Sequence, residues 1–115
     1  MKRILGLMVA FIFFISFAAA APEEDKDFLP IQQAFQDKFF EGVKTQSLQF
    51  LEKYPHSSYR NDVRLLLGQA YLNLADFAKA VEIFDQAAND PVLPKDKEEA
   101  VYWAAETYFK AKDFP

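Results

Sequence analysis

The chain has 115 residues, with 13 Lys plus Arg against 17 Asp plus Glu, a net charge of −4, one His and no Cys. An acidic chain without a basic block does not neutralise a phosphate backbone, and a single imidazole without thiols falls short of the usual metal and haem ligand sets; nucleic acid, metals and other cofactors are not expected. The absence of Cys also excludes a disulfide scaffold, so stability has to come from packing.

Met1-Lys2-Arg3 forms a short positive start. The apolar run Ile4 to Phe17 follows, broken only by Gly6 and Ser16, and then the small residues Ala18 to Ala21. This is the pattern of a cleavable export signal over residues 1–20, with the cut between Ala20 and Ala21. The alternative is an uncleaved anchor, because the run with its alanines lies at the lower edge of spanning length. Membrane contact is expected only through this segment, and only if it stays uncleaved. No Cys follows the run and no twin arginine precedes it, which excludes lipid anchoring and twin-arginine export. Without Lys2 and Arg3 the remainder carries 11 basic and 17 acidic residues. Its length of about 95 residues allows one modest core.

Residues 21–27, rich in Glu and Asp, read as a solvated acidic spacer. From Phe28 the spacing becomes helical: Ile31, Ala34, Phe35 and Phe39 share a face, and Pro30 suits a first turn. Gly42 interrupts, and a second face follows in Val43, Ser47, Phe50, Leu51 and Tyr54, stopped by Pro55. After His56-Ser57-Ser58, where either serine suits an N-cap, a third helix carries Val63, Leu66, Leu67, Ala70, Tyr71 and Leu74. Asp76 is placed to cap a fourth, with Phe77, Ala80, Val81, Phe84, Ala87 and Ala88 on its face and Asn89-Asp90-Pro91 at its end. Asp96 and Glu99 have capping-box spacing and open a fifth helix through Val101, Ala104, Ala105, Tyr108 and Ala111. No run of alternating β-branched residues follows the leader, so the expected fold class is all-α.

The helices repeat. At an offset of 34, Ala34 falls on Gly68, Phe40 on Leu74, Val43 on Phe77 and Phe50 on Phe84; at 37, Gly68 falls on Ala105, Tyr71 on Tyr108 and Asp76 on Asp113. The middle unit has Leu67-Gly68, Tyr71, Ala80, Phe84 and Ala87, then Pro91. Gly68 and Ala80 are small enough for two helices to approach closely while Tyr71, Phe77 and Phe84 fill the flanks. This pattern resembles the tetratricopeptide repeat family. The resemblance implies antiparallel helix-turn-helix units over about 28–58, 59–94 and an incomplete 95–115, stacked as a short right-handed solenoid. Arg64 stands where the family often has Trp, Ala75 where a turn Gly is usual, and Gln46 where the second unit has Ala80.

The segment Phe50 to Tyr59, with Tyr54-Pro55 and Ser57 leading toward Leu67-Gly68 and Tyr71, looks like exported bacterial envelope repeat proteins of the Tol–Pal-associated and outer-membrane assembly lipoprotein type. Those resemblances imply a periplasmic scaffold whose partners are other envelope proteins or peptides. Its groove is expected to show Ile31 and Phe35, then Leu65, Gln69 and Leu72, then Tyr102, Glu106 and Phe109. No enzymatic activity is expected: His56 sits alone in a Pro-Ser turn, Glu98 and Glu99 point about 100° apart on a helix, Ser57 and Ser58 lack a nucleophile elbow, and there is no Gly-rich phosphate loop. A second reading treats the chain as the non-catalytic helical front of a larger envelope enzyme such as a lytic transglycosylase. Its motive is that Lys112-Asp113-Phe114-Pro115 stops where the partner helix of the third unit should begin.

Overall fold

The computed structural model describes residues 22–112; the leader with its cut at Ala20 and Ala21, and residues 113–115, lie outside them. Five helices, α1 (Pro22–Gln36), α2 (Phe40–Lys53), α3 (Arg60–Asn73), α4 (Phe77–Asn89) and α5 (Pro94–Lys112), follow one another, with no strand among the described residues. Each helix packs on the next, and α1 with α3 and α3 with α5 also touch. The result is an all-α array of helix-turn-helix units in which α1, α3 and α5 share one side.

The acidic stretch expected as a spacer is the start of α1. Pro22 takes the first helical position, where a missing N–H costs nothing, and Glu23, Glu24 and Asp25 occupy the first turn, where the helix dipole favours negative charge. Pro30 therefore lies inside the helix and not in its first turn. Gly42 does not interrupt anything: it is buried within α2. The break comes at Lys38, whose φ of 58° ends α1, with Phe39 N–H donating to Ala34 O at 2.9 Å and Lys38 N–H to Phe35 O at 3.0 Å. Ala75 repeats this at the end of α3, with φ 61° and the bonds Asp76 N–H to Tyr71 O at 2.9 Å and Ala75 N–H to Leu72 O at 3.1 Å. Both are Schellman closures, each built without the glycine that favours the left-handed residue.

Lys38 and Ala75 are 37 residues apart, as are the helix ends Gln36 and Asn73 and the starts Phe40 and Phe77. The offset between the first two units is thus 37 and not 34. Val43 corresponds to Ala80, Ser47 to Phe84 and Phe50 to Ala87, and all six are buried. The 34-residue alignment matched large with large, whereas the fold trades them: the first unit puts Ile31 and Val43 where the second has Gly68 and Ala80, and Ser47 where the second has Phe84. An ideal Cβ placed on Gly68 would lie 2.5 Å from Phe84 Cζ and 2.8 Å from its Cδ1, so the ring occupies the space the missing side chain leaves.

Two cores result. Ile31, Ala34, Val43 and Phe50 form the first with Val63 and Ala70 of α3; Leu65, Leu67, Tyr71 and Leu72 of the same helix form the second with Ala80, Ile83, Phe84, Ala87 and Ala100. Helix α3 thus has two buried faces. In α5 the buried side is Ala100 and Thr107, with Trp103 and Ala104 packed against the second core. Val101, Ala105 and Tyr108, on the apolar face that the spacing gives this helix, are exposed. At the 37-residue offset Ala105 and Tyr108 match Gly68 and Tyr71, the face that α3 turns to α4.

Helix starts also differ from expectation. Neither serine caps α3; Ser57 Oγ accepts from Tyr59 N–H at 3.0 Å and the helix begins at Arg60. Asp76 does cap α4, accepting from Lys79 N–H at 3.4 Å. Helix α5 opens two residues before Asp96, at Pro94, and the Asp96 carboxylate reaches back to Val92 N–H at 2.9 Å and Leu93 N–H at 2.8 Å. Asp96 is the third helical residue closing on its own cap, not the cap itself.

The turn after each unit is tied to the N-terminal part of that unit's first helix. In the first unit Lys53 pairs with Asp27 at 3.1 Å and Tyr54 OH donates to the same carboxylate at 2.8 Å. In the second, Arg64 and Arg60 each reach Asp90 at 2.8 Å. Asp27 corresponds to Arg64 and Lys53 to Asp90, so one ion pair recurs with its signs exchanged. Arg64 fills the slot expected for Trp because it is used electrostatically.

Candidate protein-binding surface

Helices α1, α3 and α5 present the same positions side by side at the 37-residue offset. One row is acidic: Asp25, Asp62 and Glu99. The next is apolar: Phe28, Leu65 and Tyr102. The third is polar: Gln32, Gln69 and Glu106. The last is apolar again: Phe35, Leu72 and Phe109. Between these helices lies an open cleft of ≈ 350 Å³ lined by Phe28, Gln32, Asp62, Leu65, Leu66, Gln69 and Glu99.

The walls are held from behind. Phe28 stacks on Tyr59 with ring centroids 4.6 Å apart, and Tyr59 OH donates to Asp25. Gln69 Nε2 donates to Leu65 O at 3.1 Å. Partial burial pushes the Asp62 carboxyl above the usual carboxylate value, and the negative charges of Asp96 and Glu99 push the same way, against the pull of Lys95. A carboxylate raised in this manner gains by meeting a cation.

The residues expected in the groove divide. Leu65 and Gln69 line the cleft. Ile31 is fully buried in the first core and Leu72 is buried in the second, so neither is an open groove residue; Leu65 is itself buried apart from its edge on the cleft. Phe35 is half-buried, edge-on to Phe40 at 6.0 Å. Tyr102 is exposed and edge-on to Trp103 at 5.3 Å, Glu106 is half-buried, and Phe109 is exposed. The 34-residue offset caused the misplacement: subtracting 34 from Leu65 leads to Ile31, whereas 37 leads to Phe28. Phe28 and Gln32 were missed for this reason; the left-handed turns at Lys38 and Ala75 that reveal the 37-residue offset carry no glycine and so leave no mark in the sequence.

The six positions of the middle unit, Leu67, Gly68, Tyr71, Ala80, Phe84 and Ala87, lie at the α3–α4 contact, where Phe84 covers Gly68. His56 and Glu98 are exposed, and Ser57 Oγ donates to Glu24 at 2.8 Å in a helix-to-turn tie. Among the described residues there is no group of three or more His, Cys, Asp or Glu able to hold a metal ion, and no helix is long and apolar enough to cross a membrane.

Residues 62–91, from the first turn of α3 to the turn after α4, match the tetratricopeptide repeat family. The match covers the α3–α4 unit, and the fold of the described residues is an all-α helix-turn-helix array consistent with a tetratricopeptide solenoid. No curated protein and no solved structure matches the chain. Tetratricopeptide repeats generally mediate protein–protein interactions.

Proposed function

We propose that the chain is a non-enzymatic scaffold of the bacterial cell envelope, exported to the periplasm, that holds a segment of another envelope protein against α1 and α3. The observation that carries the binding reading is the cleft itself: apolar Phe28, Leu65 and Leu66 lie beside Gln32 and Gln69 and below the acids Asp62 and Glu99. Such a wall favours an extended segment that alternates apolar side chains with Lys or Arg, its backbone met by the amides. Export rests on the residue pattern of 1–20.

The binding test is a peptide-display selection on the purified chain. Enriched peptides are expected to carry Lys or Arg next to apolar residues, to lose affinity at high salt, and to bind Asp62→Lys about tenfold more weakly. Affinity is also expected to fall on acidification earlier than for an ordinary carboxylate, because the raised Asp62 protonates first. Enriched peptides that are acidic, or binding indifferent to Asp62→Lys, would refute the reading. N-terminal sequencing of protein recovered from the periplasm tests the leader; a chain still beginning at Met1 overturns cleavage.

A further inference from the structure

Pro30 divides α1. It lies inside the helix, has no N–H to give the carbonyl of Lys26, and crowds that carbonyl with its ring, so the helix lacks a bond there. Burial divides at the same place. None of the residues Glu23 to Leu29 is buried, whereas Ile31 and Ala34 beyond the proline belong to the first core. Helix α3 shows no such division: Leu67 takes the place of Pro30 at the 37-residue offset, and Val63 and Leu65 ahead of it are buried.

Among the described residues, side chains from the end of α2 and the turn after it hold the segment before Pro30. Tyr54 OH and Lys53 both donate to Asp27, at 2.8 and 3.1 Å, Ser57 Oγ donates to Glu24 at 2.8 Å, and Tyr59 OH donates to Asp25. One ring adds to these bonds: Phe28 stacks on Tyr59 at 4.6 Å and lies tilted against Phe50 at 6.2 Å. Every one of the four bonds ends on a carboxylate that is exposed or half-buried, where water readily replaces the donor. A segment attached in this way, with no buried side chain, opens more readily than the core. Phe28 moves with it, and Phe28 is the α1 wall of the cleft that Leu65, Leu66 and Gln69 line from α3.

We propose that residues 22–29 are a strap, hinged at Pro30 and latched to the α2–α3 turn, that opens as a unit and carries the Phe28 wall of the cleft with it. Closed, it completes the cleft; open, it leaves the α3 wall alone. The opening is a local excursion that precedes global unfolding. The gating role rests on the reading of the cleft as a binding surface: a segment held against Phe28 favours the latched state, and a firmer latch favours binding by the same factor.

Amide hydrogen exchange of the whole chain, read residue by residue by nuclear magnetic resonance, tests the strap. The amides of Lys26 to Leu29, which bond within the strap, are expected to exchange at one common rate, about a hundredfold faster than those of Ala34 to Gln36 beyond the hinge. Tyr59→Phe keeps the ring stack and removes the bond to Asp25; it is expected to speed the strap amides about tenfold and leave the others nearly unchanged. Pro30→Ala, at an exposed position, restores the missing helix bond and is expected to draw the strap amides toward the rate of the rest of α1. Equal rates on both sides of Pro30 overturn the proposal. So do rates that fall stepwise from Lys26 to Leu29 and ignore Pro30→Ala, as for a simply fraying helix end. A synthetic peptide of alternating Leu and Lys tests the gating: it is expected to slow the strap amides as it saturates the cleft and to bind Tyr59→Phe about threefold more weakly. Binding that leaves the strap amides unchanged refutes the gate. A peptide that does not bind counts against the cleft as a binding surface, while the exchange pattern of the free chain and its variants still decides the strap.

Discussion

Gly68 and Gly42 occupy helix interiors and yet answer to different constraints. A Cβ at Gly68 would meet the Phe84 ring, which is fully buried and has no room to withdraw. The overpacking cost exceeds the helix-propensity gain of about 1 kcal/mol, so Gly68→Ala is expected to lose about 2 kcal/mol in urea unfolding, and a simultaneous Phe84→Leu to recover part of it. At Gly42 the Cβ would meet the ring of Phe39, which is 60% exposed and swings into solvent; Gly42→Ala is expected to gain up to about 1 kcal/mol. The left-handed residues give a second contrast with ordinary turns. Ala75 holds φ 61° with a Cβ that this region penalises, so Ala75→Gly is expected to raise the unfolding free energy by about 1 kcal/mol despite the greater freedom of Gly in the unfolded chain. An unchanged urea midpoint would refute this.

At the scale of the element, the ends of the first helices are secured by polar ties to the following turns. Asn61, almost fully buried on α3, donates through Nδ2 to Asp90 O at 2.6 Å and to Asp96 Oδ2 at 3.1 Å, joining the start of α3 to the turn that starts α5. Asn61→Ala leaves a buried carboxylate short of a donor and is expected to cost about 2 kcal/mol, measured by chemical unfolding. The same ties govern acid behaviour. The Tyr54 hydroxyl and Lys53 hold Asp27 below its ordinary value of 3.8, and Arg60 and Arg64 hold Asp90 far below it. Burial pushes Asp96 up, but the N–H groups of Leu93 and Val92 and the amide of Asn61 bring it down on balance. Carboxylates lowered by folding lend stability that is present above the unfolded value and is lost as the pH falls through the folded one. Asp62, raised by folding, acts in the opposite sense. Unfolding free energy is therefore expected to hold from neutrality to about pH 4 and to fall below it, checked by urea midpoints across a pH series. A steep loss already above pH 5 would refute the assignment.

Across the whole molecule, α3 supplies one face to each core, and Leu51 touches both. Neither core is complete without α3, so the array is expected to unfold as one cooperative unit and not unit by unit. Trp103, the single Trp, packs on the second core, while far-ultraviolet circular dichroism reports all five helices. The two probes are expected to give coincident transitions in the native chain. In Leu67→Ala, weakened by about 3 kcal/mol, both should shift together. Separated transitions would show that the first unit folds alone.

Helix type and number, the Asp76 cap and the close approach at Gly68 followed from local spacing, because 3.6-residue periodicity and small-residue placement are properties of short segments. The start of α1 escaped that reading, since acids that look solvated in isolation are bonded to Tyr54, Ser57 and Tyr59 some thirty residues away. The offset of the first repeat escaped it too: Ile31 and Val43 replace Gly68 and Ala80 while Ser47 replaces Phe84, and only the shared space shows that these exchanges compensate. Which face of each helix is open was likewise a tertiary decision. A helix within an array buries one face on the unit before and another on its own partner, and the chain's local pattern marks apolar residues without saying which neighbour takes them.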